Sequence, residues 1–111
     1  MKLNISTRSL HAFLALQECK HFTHAAERCF MSQSAFSVMI QKLEVAVGAK
    51  LFERDTRNVT LTAEGELFAE VARSLVSDIE SAFADMSDYA ARRKGRVAIA
   101  ALPSLAANGL P

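Results

Sequence analysis

The stretch from Thr23 to Gly48 restricts most tightly what this chain can fold into. Thr23-His24-Ala25-Ala26-Glu27-Arg28 reads as a short helix whose alanines permit close packing against a neighbour. After Phe30-Met31, Ser32 stands where a hydroxyl can cap a further helix running to Val47. Phe36, Ile40, Leu43 and Val47 then recur at helical spacing as one apolar stripe, and Gly48 supplies the left-handed residue that ends the helix. The other side carries Ser34, Ser37, Val38 and Gln41, with Gln33 at its N-terminal end and Lys42 at its flank. A solvated helix back normally carries Glu and Lys. This one is small and almost uncharged, which suits close approach to base edges by amides, hydroxyls and a methyl pair. Two helices so joined are a helix-turn-helix.

The flanking segments complete a head around this unit. Ser6 or Thr7 can cap a first helix in which Leu10, Phe13, Leu14 and Gln17 fall at helical spacing, ending near Lys20. His21-Phe22 reads as a short connection, and Thr23 as the N-cap of the next helix, its hydroxyl accepting from a first-turn amide beside a place for a phosphate. Leu51-Phe52-Glu53-Arg54 and Val59-Thr60-Leu61 have strand character, and Asp55-Thr56-Arg57-Asn58 between them reads as a polar turn. The expected result is a β-hairpin wing carrying Arg54 and Arg57, able to reach a phosphate or the minor groove unless Glu53 or Asp55 holds Arg54.

Thr62 then caps a long helix. Phe68, Leu75, Ala82 and Tyr89 keep one heptad position, and Ala72, Ile79 and Met86 keep the other; Leu67, Val71, Val76 and Phe83 widen the stripe. A helix of about 30 residues spans about 45 Å, more than the small head can cover, so a second copy is the expected partner. The run Arg92-Arg93-Lys94-Gly95-Arg96 is expected to break the helix, and Val97–Leu102 to form a buried strand. The fold expected is therefore mainly α: a winged helix-turn-helix of three helices and a two-stranded wing over residues 1–62, a dimerisation helix over 63–93, and over 94–111 a hinge with the first strand of a further domain.

The net charge of +1 conceals a strong asymmetry. Residues 1–62 carry eight Lys/Arg against five Asp/Glu, together with all three histidines. Residues 63–91 hold one arginine against seven acids, and residues 92–111 four basic side chains and no acid. A basic head on an acidic stalk fits a head that meets a polyanion. No apolar run is long enough to span a membrane and no signal-peptide core is present, so a cytoplasmic setting is expected. Cys19 and Cys29 lie within helical patterns and read as small core fillers. The histidines and cysteines have no metal-ligand spacing, and there is no glycine-rich phosphate loop, so neither catalysis nor a metal is expected.

The combination of Phe22–Arg28, Ser32-Gln33-Ser34-Ala35-Phe36-Ser37, Ile40-Gln41-Lys42-Leu43-Glu44, Gly48, Leu51-Phe52-Glu53-Arg54 and Leu61-Thr62-Ala63-Glu64-Gly65-Glu66 resembles the N-terminal part of LysR-type transcriptional regulators, over essentially the whole chain. The resemblance implies a transcription factor that binds double-stranded promoter DNA, with a linker helix pairing antiparallel with that of a homodimer partner. It further implies tetramers in the full-length protein, promoter bending, and a small-molecule effector bound by a C-terminal domain; no cofactor is expected in residues 1–111. By the same resemblance Thr23 contacts phosphate, Gln33, Ser34, Ser37 and Val38 face the major groove, and Arg54 and Arg57 serve the wing. His24, Ser32, Ala35, Gln41, Lys42 and Asn58 complete the expected DNA-binding set. Phe68, Val71, Ala72, Leu75, Ile79, Ala82, Phe83, Met86 and Tyr89 form the expected dimerisation set.

Two positions depart from the family pattern. Ser34 stands where a proline is common, and Val38 where a polar residue, often arginine, is common. Val38 is expected to pack on a thymine methyl, giving up a possible bidentate guanine contact worth about 1–3 kcal/mol of discrimination. The competing reading is an adaptor module whose head binds protein and whose long helix dimerises.

Overall fold

The computed structural model describes residues 5–55 and 58–98, with residues 95–98 as backbone only. The element order is α1 (Thr7–Cys19), α2 (Phe22–Arg28), α3 (Gln33–Val47), β1 (Phe52–Arg54), β2 (Val59–Leu61) and α4 (Ala63–Ala98). The chain divides into two compact units, Met1–Val76 and Ser77–Pro111. Three helices, a two-stranded wing and the first turns of α4 make up the first unit.

Local hydrogen bonding fixes most of the helix ends. Ser6 caps α1 in a reciprocal box with Ser9: the Ser9 amide donates to Ser6 Oγ at 3.1 Å and the Ser6 amide to Ser9 Oγ at 3.0 Å. Lys20 ends α1 in the left-handed region, its amide donating to the Leu16 carbonyl at 2.8 Å. Ser32 Oγ accepts from the Ala35 amide at 3.2 Å to open α3, and Gly48 closes it at φ 85°, as expected. Thr62 opens α4, accepting from the Gly65 amide at 2.9 Å.

Helix α2 begins differently from expectation. It starts at Phe22, and its N-cap is His21, extended and without a side-chain capping bond. Thr23 therefore lies inside the first turn, and its hydroxyl is turned away from the backbone toward α3. Phe22 takes the earlier start because its ring has a place to go: it is buried and meets Phe36 edge-on at 6.0 Å.

The core is aromatic at its centre. Phe13 of α1 is fully buried; its ring lies 5.1 Å from that of Phe52 at the wing's base and 4.9 Å, edge-on, from that of Phe68 in α4. Leu16, Ile40, Leu43 and Leu51 fill the space around it. Burying each such side chain is worth about 1.5–3 kcal/mol. Phe68, Ala69 and Ala72 belong to this core. Phe68 and Ala72 thus leave the expected dimerisation set, since their side chains are already buried against their own head. Cys19 and Cys29 are free and half-buried against the core, and burial pushes the Cys29 thiol up despite the nearby Arg28 and Arg8. That keeps it protonated and suits a filler rather than a nucleophile.

The second unit begins at Ser77 and contains the rest of α4. Here Ala82, Phe83, Met86 and Tyr89 are exposed and Ile79 is half-buried. The basic run does not break the helix: α4 continues through Gly95 to Ala98, so Val97 and Ala98 are helical rather than the start of a strand. A single glycine costs a helix about 1 kcal/mol, too little to end one with good helix formers on both sides. The remainder of the expected strand, residues 99–102, lies outside the described residues.

Candidate nucleic-acid interface

One surface of the first unit gathers most of the residues singled out from the sequence. Its centre is α3. Gln33, Ser34, Ala35, Gln41 and Lys42 are exposed, Val38 is exposed to 47%, and Ser37 is half-buried on the same helix. This face has no carboxylate and a single charge, Lys42 at its flank. Ser32 Oγ and Ser34 Oγ lie 3.4 Å apart at its N-terminal end.

Helix α2 supports that face through a contact the sequence did not disclose. Thr23 Oγ1 donates to Gln33 Oε1 at 2.9 Å. The bond ties the amide's oxygen to α2, so the NH2 group is the end of Gln33 left to donate. Thr23 thus positions a base-reading candidate in addition to any phosphate contact of its own.

The wing forms the rim. Strands β1 and β2 pair antiparallel with Phe52 opposite Leu61, Glu53 opposite Thr60 and Arg54 opposite Val59. The turn is closed by Asp55 and Asn58: the Asp55 amide donates to the Asn58 carbonyl at 3.1 Å, and the Asn58 amide to Asp55 Oδ1 at 2.7 Å. Arg54 is not left to wander. Its guanidinium lies over the Phe22 ring, 4.4 Å from the centroid, an arrangement that holds the charge without neutralising it. Arg57 lies outside the described residues. A shallow depression between wing and helices is lined by Lys20, His21, Phe22, Thr23, Gln33, Arg54, Asp55, Asn58 and Val59. Lys20 and His21 were absent from the expected set. Beside it His24 stacks on His21, ring centroids 4.4 Å apart.

Three contacts fix the wing's position. Glu44 Oε2 accepts from the amides of Leu51 at 2.8 Å and Phe52 at 3.2 Å, tying the wing's first strand to α3. The Val59 amide donates to the Lys20 carbonyl at 3.3 Å, tying the second strand to the end of α1. Gly65 then lets α4 pass against the wing's entry, since a Cβ there would sit 2.1 Å from the Leu51 carbonyl oxygen. Glu44 and Gly65 stood in the sequence as motif residues without roles. Their shared partner, Leu51, lies seven and fourteen residues away and outside both helices, where no periodicity within a helix marks it.

Among the described residues, no group of three or more His, Cys, Asp or Glu side chains is placed to hold a metal ion. No helix among them is long and apolar enough to cross a membrane.

Comparison with known proteins agrees with this geometry. The family described as bacterial regulatory helix-turn-helix protein, lysR family, matches residues 7–66. The HTH-type transcriptional regulator YjiE of Escherichia coli K12 is 40% identical over 111 residues, covering 97% of this chain and 36% of that protein. Vibrio fischeri DarR, solved in complex with DNA, superposes with a TM-score of 0.76 at 40% identity, over 78% of this chain and 30% of that one. The DNA-binding domain of BenM, solved with its benA site 1 DNA, gives 0.73 at 34% identity, over 78% of this chain and 97% of that one. This chain spans about a third of the length of curated relatives such as YjiE. It belongs to the LysR family of bacterial regulatory helix-turn-helix proteins.

Proposed function

We propose that this chain is the DNA-reading head and linker helix of a transcription factor that binds promoter duplex in a sequence-specific manner. One observation carries the reading: an almost uncharged helix face, α3, is exposed beside a basic rim in which Arg54 is held over Phe22 with its charge available. In that arrangement α3 enters the major groove and Gln33, Ser34, Ser37 and Val38 meet base edges. Thr23, His24, Lys42, Arg54 and Asn58 track the backbone. That DarR and the BenM DNA-binding domain, both similar to this chain, were solved in complex with DNA supports a head that binds DNA.

The partner along α4 is a second copy of the chain. Val71 and Leu75 in the first unit, and Ile79, Ala82, Phe83, Met86 and Tyr89 in the second, supply its apolar contacts; Val71, Leu75, Phe83, Met86 and Tyr89 are each exposed by two-fifths or more. Tetramers, a small-molecule effector and its C-terminal domain belong to the full-length protein, acting in the cytoplasm as a regulator and not as an enzyme. Selection of bound duplexes from a random pool at fixed salt tests the proposal. A recovered half-site motif, with log K falling steeply against log salt, supports it. Recovery of no motif, with salt-insensitive capture of protein instead, would favour the adaptor reading.

A further inference from the structure

The most unusual titratable feature outside the reading face is the His21–His24 stack. The two rings lie 4.4 Å apart with 29° between their planes, and both residues are exposed. His21 is the N-cap of α2 but makes no capping bond with its side chain, so helix formation does not account for its ring. Lys20 and Arg54 line the same depression as His21. Two cations and two imidazoles therefore converge on the edge where the wing meets α2.

We infer that the His21–His24 stack is a proton-linked phosphate contact, so that the head binds duplex DNA more tightly as pH falls through the imidazole range. The inference rests on the DNA-binding reading above and adds a regulatory property to the same surface. Imidazole is the side chain whose charge ordinarily changes between about pH 5 and 8. Lys20 and Arg54 face His21 across the depression. Asp55 faces the depression from the wing, and on α2 itself Glu27 and Arg28 follow His24 by one turn, Arg28 being bridged to Glu18 of α1 at 2.5 Å. A backbone phosphate seated on this edge favours the charged imidazole, because it brings an anion within reach of the rings. The complex then holds more protons than the free head, and linkage makes binding tighten as pH falls.

The test measures affinity for a short labelled duplex, recovered from the random-pool selection, at about pH 8 and about pH 6 and at several salt concentrations. Partial uptake of one proton on binding gives up to about tenfold tighter binding per head at the lower pH. The slope of log K against log salt steepens by up to about one, since one more counterion is released. His21→Gln with His24→Gln abolishes both changes, whereas His11→Gln, on α1 and away from this edge, preserves them. His24→Arg, with its fixed charge, binds tightly at both pH values and flattens the profile. A melting curve for each variant separates loss of contact from loss of fold. Flat wild-type affinity between the two pH values, or a pH dependence that survives in the double glutamine variant, overturns the inference and leaves DNA binding standing. Absence of duplex binding at every pH and salt overturns both.

Discussion

The reading face of α3 and the rim built by α2 and the wing divide the work of the head between opposite kinds of chemistry. The face is almost uncharged and held by hydroxyls: Ser32 caps its start, and Thr23 of α2 fixes the amide of Gln33. The rim is basic and held by a ring contact, a carboxylate and close backbone packing: Arg54 against Phe22, Glu44 against the amides of Leu51 and Phe52, and Gly65 against the Leu51 carbonyl. Contacts to phosphate supply sequence-independent affinity, and contacts to base edges supply discrimination. In this head the two are carried by different elements, so substitutions should separate them.

The largest effect is expected at the joint between the rim and the rest of the head. In Gly65→Ala the new Cβ meets the Leu51 carbonyl oxygen at 2.1 Å, a backbone atom that no side-chain rotation can clear. Overpacking of this kind costs about 1–3 kcal/mol, which lowers the melting temperature by roughly 4–8 °C per kcal/mol in a domain of this size. Calorimetry reads it directly. Glu44→Ala follows, because it strands two amides that now share a carboxylate oxygen; a loss of about 1–3 kcal/mol is expected. Its diagnostic is a uniform fall in affinity across duplex sequences as the wing loosens, with base preferences opposite α3 unchanged.

Arg54→Ala should act on binding alone. Affinity falls by about the same factor on every duplex, and the salt slope decreases by about one. Arg54→Lys should restore the slope but not all the affinity, since an ammonium does not stack on Phe22 as a guanidinium does. The smallest effect is expected at Val38→Ala, about 1 kcal/mol or less and confined to one base pair where a thymine methyl is lost as a partner. Equal losses on all single-base variants would make Val38 a spacer.

What could be read from the sequence depended on how locally each feature is fixed. Caps at Ser6, Ser32 and Thr62, the end of α3 at Gly48, and the buried stripe of Phe36, Ile40 and Leu43 were legible because each is fixed within a few residues of itself. The start of α2 was not: Thr23 has the chemistry of a cap, but the burial of Phe22 against Phe36, fourteen residues on, sets the cap two residues earlier, at His21. Arg54 on Phe22 spans thirty-two residues of sequence and had no local signal. The heptad pattern of α4 was visible, yet it did not distinguish Phe68 and Ala72, which the head's own core takes, from Phe83, Met86 and Tyr89, which remain exposed. A repeating pattern states that a face is apolar and leaves open what covers it.

The central claim is that affinity resides in the rim and discrimination in the face. It is tested most directly by measuring Arg54→Ala and Gln33→Ala side by side on a panel of single-base operator variants at fixed salt. The account predicts that Arg54→Ala lowers affinity evenly over the panel, while Gln33→Ala flattens the preference at one position by about 1–3 kcal/mol and leaves the salt slope unchanged. Two variants with indistinguishable profiles over the panel would contradict it.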